Sequence, residues 1–200
     1  MSPFDFYPTL ENKRALLRPL KASDQELLAQ IALNEQELWR FTATLIDSPE
    51  ALQAYFETAL SEREQGLSIP FLIFDKEKNK PAGCTRFMQP NAQHRRVEIG
   101  WTWLGREFQG SGLNKAMKYL LLQHAFETMG MNRVELKTSE LNTPSRNAIA
   151  SIGAVQEGIL RSHMINDDGT VRNTVYFSII KEEWPSVKER IFQKHLHKWY

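Results

Sequence analysis

The residues in this sequence whose types and spacing could support chemistry are the two glycines on either side of Ser111. Gly110 and Gly112 have no Cβ, so they tolerate positive φ angles and can bring bare backbone amides close to a ligand. An apolar-faced helix is predicted to begin next, at Leu113, and the unpaired amides of a helix N-terminus favour an anion. The pattern is typical of a phosphate or pyrophosphate site, although a plain turn between a strand and a helix would also use these glycines.

The loop does not match the better-known nucleotide motifs. It lacks the Gly-Lys-Ser/Thr of a P-loop, and it lacks the third glycine and the following acid of a dinucleotide-binding fold. The sequence therefore argues against a P-loop NTPase and against a dinucleotide-dependent dehydrogenase.

A strand and a helix must position this loop. Residues 97–103 are rich in β-branched and aromatic side chains and predict a strand. After the loop, apolar residues recur at helical spacing and predict a buried helix. This stripe comprises Leu113, Ala116, Met117, Leu120, Leu121, His124 and Ala125.

The rest of the chain alternates between strand and helix patterns. Further strands are predicted at 14–20, 70–75, 82–89, 133–138, 155–164 and 174–180. Further helices are predicted at 24–34, near 38–39, and at 49–65, 143–153 and 185–200. This order predicts an α/β fold of the α+β type, a central mixed sheet with helices on both faces and parallel strands around the glycine loop.

Length and charge limit the function classes. The 200 residues predict a single domain, 1–200, with a core of about 12–182 and a tail helix of about 185–200. The net charge of +1 gives no case for nucleic acid or a membrane as the main partner. Residues 1–10 lack the features of a signal peptide, and the one cysteine, Cys84, excludes an internal disulfide, so we expect a cytoplasmic protein. No set of residues has metal-ligand spacing, so no metal is expected.

Four motifs in order resemble the GNAT superfamily of N-acetyltransferases. They are the Leu-Arg-Pro that ends the first strand, Glu98-Ile99-Gly100-Trp101, Gln109-Gly110-Ser111-Gly112, and Asn142-x-x-Ser145 leading to Ile152-Gly153-Ala154. The resemblance covers about residues 12–182 and is greatest to the ribosomal-protein N-terminal acetyltransferases. It implies a GNAT-like fold and transfer of an acetyl group from acetyl-CoA to a primary amine, either a protein N-terminus or a small metabolite.

The resemblance also implies which residues bind acetyl-CoA. Loop amides and the helix start would hold the pyrophosphate. The strand bearing Ile99 would splay from its neighbour and pair with the pantetheine, and Asn142 would hold the pantetheine arm. The implied cofactor-binding residues are Ile99, Gly100, Trp101, Phe108, Gln109, Gly110, Ser111, Gly112, Leu113, Asn114, Asn142 and Ser145.

Two catalytic residues follow from the resemblance, each with a structural alternative. Glu98 is the candidate base, acting through a water, or it is a strand glutamate on the solvent face or in a salt bridge. Ser145 is the candidate donor to the leaving thiolate, or it is a first-turn serine that assists the helix cap. The sequence departs from the family where Glu107 places an acid in the loop and where Ile149 replaces a tyrosine general acid.

The acceptor side is less defined. Candidates on segments flanking the acceptor groove are Trp39, Phe41, Thr85, Arg86 and His163, with core packing as the alternative for the aromatic residues. Arginines such as Arg86, Arg161 and Arg172 would suit an anionic metabolite, whereas acids would suit a basic protein tail, and these segments contain both kinds of residue. A non-catalytic acyl-CoA-binding or interaction module is the alternative function. The Phe192, Leu196 and Trp199 stripe of the tail helix could pack on its own sheet or form a homodimer.

Overall fold

A computed structural model describes residues 4–200 as one eight-stranded sheet with helices on both faces. The strands are β1 (Leu10–Glu11), β2 (Ala15–Pro19), β3 (Ser68–Asp75), β4 (Lys80–Asn91), β5 (Arg96–Leu104), β6 (Arg133–Ser139), β7 (Val155–Ile165) and β8 (Val171–Ile180). The helices are α1 (Asp24–Asn34), α2 (Pro49–Glu64), α3 (Leu113–Gln123), α4 (Thr143–Ala150), α5 (Trp184–Val187) and α6 (Gln193–Trp199). Single 3-10 turns cover Gln36–Trp39 and Arg106–Phe108, and π-helical turns cover His124–Thr128 and Lys188–Phe192.

The sheet order is β1-β2-β3-β4-β5-β6-β8-β7, and β5 and β6 run parallel while the other neighbouring strands run antiparallel. A parallel pair requires a crossover, which the glycine loop and α3 supply. The predicted mixed sheet, with its parallel strands around the loop, is confirmed.

The sheet separates two apolar clusters, as the alternation of β3 shows. Phe71 and Ile73 point into the cluster that contains α3, whereas Leu72 points into the cluster that contains α1 and α2. Successive strand residues face opposite sides, so the two clusters lie on opposite faces of the sheet. On β5, Ile99 belongs to the α3 face, so Glu98 and Gly100 point to the α1/α2 face.

The tail helix packs on its own chain. The rings of Phe192 and Trp199 lie 5.3 and 5.7 Å from the ring of Tyr119 on α3, and both are buried. The stripe that could have formed a homodimer is therefore covered by α3, and the dimer prediction loses its basis.

Within residues 4–200, no helix combines the length and apolar character needed to cross a membrane. The first three residues lie outside the described part of the chain, so the interpretation of residues 1–10 is only partly covered by the structure.

Candidate active site

The two loop glycines have the backbone that the sequence predicted. Gly110 has a φ of +69° and Gly112 a φ of +88°, and a Cβ built on either would meet nothing within 4 Å. No side chain caps α3, and its first turn contains no acidic residue. The space outside the loop is open, and apart from the Leu113 amide the helix start presents donors without a side-chain acceptor, which is an arrangement that suits an anion.

The side chains of the loop turn inward and hold its shape. Gln109 Nε2 donates to the Leu104 carbonyl oxygen at 2.9 Å, and Ser111 Oγ donates to the Phe108 carbonyl oxygen at 2.7 Å. The amide of Leu113 lies 3.4 Å from Ser111 Oγ. These bonds fix the loop from within, so binding outside it requires little further ordering.

Basic residues neutralise Glu107, the acidic residue by which the loop departs from the family pattern. Lys78 Nζ lies 3.4 Å and Lys80 Nζ 3.5 Å from the carboxylate of Glu107. Arg14 Nη2 donates to Ser111 Oγ at 3.3 Å, although two acids at the end of β3 also pair with this arginine. The sequence did not predict these three cations at the loop, because they come from the residue before β2, the β3–β4 turn and the start of β4, which only the folded sheet brings to the loop.

β5 and β6 separate after three paired residues, of which the last pair is Glu98 with Glu135. Farther along β5, the register with β4 shifts, and Trp101 takes a φ of +49°, which marks a β-bulge. The edge of β5 that faces β6 is therefore free of strand pairing from Ile99 onward. The splay predicted from the resemblance is present, and an extended ligand can pair with this edge as a strand would.

Glu98 lies beside the start of the splay with its carboxylate buried on the α1/α2 face. Its Oε2 is 2.9 Å from Lys137 Nζ, so the salt bridge considered from the sequence is present. Burial raises the pKa of Glu98, and the attraction of Lys137 opposes that rise without cancelling it. A Cβ on Gly100 would lie 2.9 Å from Glu98 Oε1 and 2.8 Å from Met88 Sδ, so the glycine leaves room for this carboxylate.

The side chains around Lys137 form a cluster that was not predicted from the sequence. The Lys137 ammonium lies 5.6 Å from the ring centre of Tyr176, and His163 meets the same ring edge-on at 5.7 Å. Arg172 is four positions from Tyr176 on β8 and shares its face. Polar alternation along β6 and β8 is the signal that could have placed Lys137 and Tyr176 on one face.

Three of the five acceptor-side candidates are enclosed by protein. Trp39, Thr85 and Arg86 are 4%, 0% and 1% exposed, respectively. Trp39 donates to a carbonyl of α1, and Thr85 shares a hydrogen bond with a threonine of β5. Arg86 lies 3.1 Å from Glu62, and its guanidinium lies over the rings of both Tyr55 and Trp101. These side chains stabilise the core and have no open face for a substrate, which corrects the expectation from the sequence.

The other two acceptor-side candidates reach the surface. Phe41 is half-buried on the connection between α1 and α2. His163 is exposed and lines an open groove of about 920 Å³ beside β7, together with Arg161 and Asn173.

Asn142 and Ser145 occupy the start of α4, which follows the end of β6. The side-chain oxygen of Asn142 accepts a hydrogen bond from the Ser145 amide at 3.0 Å, so Asn142 is the N-cap of this helix. Ser145 is half-buried, and Ile149 is buried one turn later. The pair therefore has a structural role, and any contact with a cofactor would be additional to it.

Lys118 is a buried lysine on α3. Its side chain contacts the bulge of β5 from the α3 face of the sheet, whereas Glu98 lies on the α1/α2 face. Its Nζ donates to Thr102 Oγ1 at 2.9 Å, and burial lowers the pKa of Lys118 to about 7. In the unfolded chain Lys118 keeps its proton up to a pH near 10.5. Between pH 7 and 10.5 the folded protein therefore has a neutral Lys118, and unfolding takes up a proton. The free energy of unfolding consequently decreases as the pH falls through that window.

Replacing Lys118 by methionine is expected to stabilise the protein near neutral pH. One pKa unit corresponds to about 1.4 kcal/mol, so the expected gain at pH 7 is on the order of a few kcal/mol, and it should shrink toward pH 10. Urea unfolding at several pH values measures it. Lys194→Met, at an exposed position of α6, is the control and should leave the slope with pH unchanged. Destabilisation by Lys118→Met across the whole range would contradict this account.

Comparison with known proteins supports one family. A model of the family described as "Acetyltransferase (GNAT) domain" matches residues 14–155. YdaF of Bacillus subtilis (strain 168), whose name assigns it provisionally to ribosomal N-acetyltransferases, is 30% identical over 185 residues, covering 88% of this chain and 97% of that protein.

Solved structures share the fold. A GCN5-related N-acetyltransferase from Brucella melitensis has a TM-score of 0.83 and 25% identity, with 92% of this chain and 83% of that chain covered. RimJ from Mycobacterium smegmatis, solved in complex with CoA-disulfide, has a TM-score of 0.74 and 23% identity over 90% of this chain and 88% of that chain.

Proposed function

The chain belongs to the GNAT superfamily of N-acetyltransferases, and from this premise we propose that it moves an acetyl group from acetyl-CoA directly to a primary amine. The observation that carries the proposal is the splay between β5 and β6. It begins beside a buried carboxylate, Glu98, and β5 leads on to an open glycine loop. One extended molecule with an anionic end suits this combination.

Acetyl-CoA fits the residues present. Its pyrophosphate would bind the backbone amides of the loop and the α3 start, in the open space over Gly110 and Gly112. Its pantetheine amides would pair with the free edge of β5 at Ile99 to Trp101, and a backbone amide at the bulge would polarise the thioester carbonyl. Phe108, Gln109, Ser111, Leu113, Asn114, Asn142 and Ser145 complete the proposed cofactor contacts.

The proposed chemistry forms one C–N bond and breaks one C–S bond. A neutral amine attacks the thioester carbon, Glu98 accepts the amine proton through a water, and the departing thiolate takes a proton from Ser145 or from solvent. The raised pKa of Glu98 makes it a better proton acceptor, and Lys137 holds its carboxylate in place.

Transfer through an acetylated cysteine does not fit the structure. Cys84 is 1% exposed, and burial raises its thiol pKa to about 12, so the reactive thiolate is scarce at neutral pH. A ternary complex of enzyme, acetyl-CoA and amine is therefore the proposed route.

The proposal also covers the class of acceptor and the location of the reaction in the cell. The name of the Bacillus subtilis relative favours a protein N-terminus, while a small amine remains the other acceptor class. We regard 1–200 as one acetyltransferase domain acting in the cytoplasm.

A non-catalytic acyl-CoA-binding module is the second candidate. Two features favour it. The candidate base Glu98 is engaged in a salt bridge with Lys137, and Ile149 stands where the family has a tyrosine general acid. Such a module would bind acetyl-CoA and would not turn it over.

Thermal unfolding with acetyl-CoA, CoA and ATP in parallel tests the cofactor. A ligand at about 100 times its dissociation constant adds about 2.7 kcal/mol to the folded state. We expect a shift with acetyl-CoA and CoA and a smaller one or none with ATP. No shift with millimolar acetyl-CoA would remove the foundation of the proposal. A shift without acetylation of any amine would favour the module.

A further inference from the structure

Arg172 is an arginine of the α1/α2 face whose guanidinium forms no salt bridge within the described residues. It lies on β8 opposite Met164, and its Nη1 donates to the Phe41 carbonyl oxygen at the long distance of 3.5 Å. Its Nε is buried without a hydrogen-bond partner. Within residues 4–200, the salt bridges found on this face involve other cations.

Other arginines packed inside the fold differ. Arg18 lies 2.6 Å from Asp24, and Arg86 lies 3.1 Å from Glu62. Burying a guanidinium without such a partner costs free energy, and the fold does not recover that cost at Arg172. A half-buried cation without a salt bridge is therefore a candidate contact for an anionic group of a ligand.

The charges around the splay leave an excess of positive charge. Glu98 interacts electrostatically with Arg172, but its carboxylate is already bound by Lys137 at 2.9 Å. Glu135, the cross-strand neighbour of Glu98, is likewise taken by two arginines. Neither carboxylate forms a salt bridge with Arg172, which leaves its guanidinium available to an incoming anion.

The position of Arg172 is fixed before any ligand arrives. Beyond it, the tip of the β7–β8 hairpin is tied to the connection between α1 and α2. The Asp167 amide donates to the Ala43 carbonyl oxygen at 2.9 Å, and the Asp167 carboxylate accepts from the Leu45 amide at 3.0 Å. These bonds hold β8 against that connection, so the guanidinium is preorganised.

We propose that the acceptor amine carries a carboxylate on the same molecule and that Arg172 binds this carboxylate, which places the amine beside Glu98. The inference rests on the proposed acetyl transfer and names its substrate class. Guanidinium and carboxylate form charge-assisted, often bidentate hydrogen bonds, which explains why an arginine at this point would select such an acceptor. A free amino acid and a peptide with an acidic residue near its N-terminus share this chemistry.

Matched acceptors test the proposal. One pair is an amino acid and its carboxamide, and the other is a peptide with glutamate or glutamine as its second residue. The wild type should favour the carboxylate member of at least one pair by about tenfold or more in kcat/KM, the loss expected for one charge-assisted contact. A preference in the first pair identifies the amino acid as the source, and a preference in the second identifies the peptide.

Two variants connect that preference to Arg172. Arg172→Gln should lose the preference and keep its activity on the uncharged members. Arg190→Gln, which changes an exposed arginine on the π-helical turn before α6, should behave as the wild type. Equal loss on charged and uncharged acceptors in Arg172→Gln would show a structural role only and would overturn the proposal. Thermal unfolding of each variant checks that it is folded.

Failure of this inference differs from failure of the proposed function. Acetylation of charged and uncharged amines at equal rates would overturn the carboxylate contact and leave acetyl transfer in place. If no amine is acetylated, the carboxylate acceptors are titrated into wild type and Arg172→Gln, each saturated with CoA, and their affinities are compared. Arg172-dependent binding there supports the contact, and its absence overturns it. No thermal shift with acetyl-CoA would refute both.

Discussion

Glu98→Gln should lower kcat by about 10²-fold or more, because general bases contribute on the order of 10²–10⁴ in rate. Glutamine keeps the size and the hydrogen-bonding oxygen next to Lys137 but cannot accept the amine proton. The dissociation constant for acetyl-CoA should stay within about threefold of wild type, because the cofactor is proposed to bind along β5 and the loop. Steady-state kinetics with an accepted amine and calorimetric binding of acetyl-CoA measure the two effects.

Glu135→Gln is the matched control for that experiment. Glu135 pairs directly with Glu98 across the β5–β6 register and also forms salt bridges, with Arg96 and Arg133. It has no proposed part in proton transfer, so kcat should change by less than about threefold. Equal loss in the two variants would mean that any charge removed at this point disturbs the site, and Glu98 would no longer be the proposed base.

The pH profile adds an independent readout. Burial raises the pKa of Glu98 above its ordinary value of 4.5, and the base acts in its deprotonated form. Activity should therefore rise with pH on an acid limb that lies above pH 4.5, and this limb should be absent from the residual activity of Glu98→Gln.

Gly110→Ala should weaken acetyl-CoA binding by at least about tenfold, because the new Cβ enters the open space through which the pyrophosphate is proposed to reach the loop amides. The substitution also forces an L-residue to a φ of +69°, which costs about 1–2 kcal/mol of stability. Calorimetry measures the affinity, and denaturant unfolding measures the stability.

Gly130→Ala separates these two effects. Gly130 has nearly the same φ, +67°, equally open surroundings and a position beyond the opposite end of α3. It should lose about the same stability and keep its full affinity for acetyl-CoA. If both alanine variants bind acetyl-CoA as tightly as wild type, the glycine loop is only a turn between a strand and a helix.

Local features of the chain were predictable from its sequence. The strand, the glycine loop and the start of α3 follow from β-branched residues, positive-φ glycines and helical periodicity, all of which act over a few residues. Gly110 and Gly112 adopt the predicted backbone for that reason. The separation of β5 from β6 was implied by the family resemblance alone.

Features that depend on strand pairing were not predictable. The register that sets Glu98 beside Lys137 joins strands separated by a whole crossover, and no short pattern encodes it. Arg86 was expected near a groove because it is an arginine on a flanking strand, yet two aromatic rings and Glu62 enclose it. The bulge gives a positive φ to Trp101, a residue type that rarely adopts one, and the adjacent Gly100 is the signal that could have marked it.

The measurement that tests direct transfer most closely is thiol release after rapid mixing of the protein with acetyl-CoA, with and without an amine, followed by mass spectrometry of the intact chain. The structure predicts thiol release that depends on the amine and a protein mass that stays unmodified throughout. Acetylation of the protein before the amine is added would contradict transfer in a ternary complex. Acetyl-CoA binding without thiol release for any amine would contradict the enzyme itself.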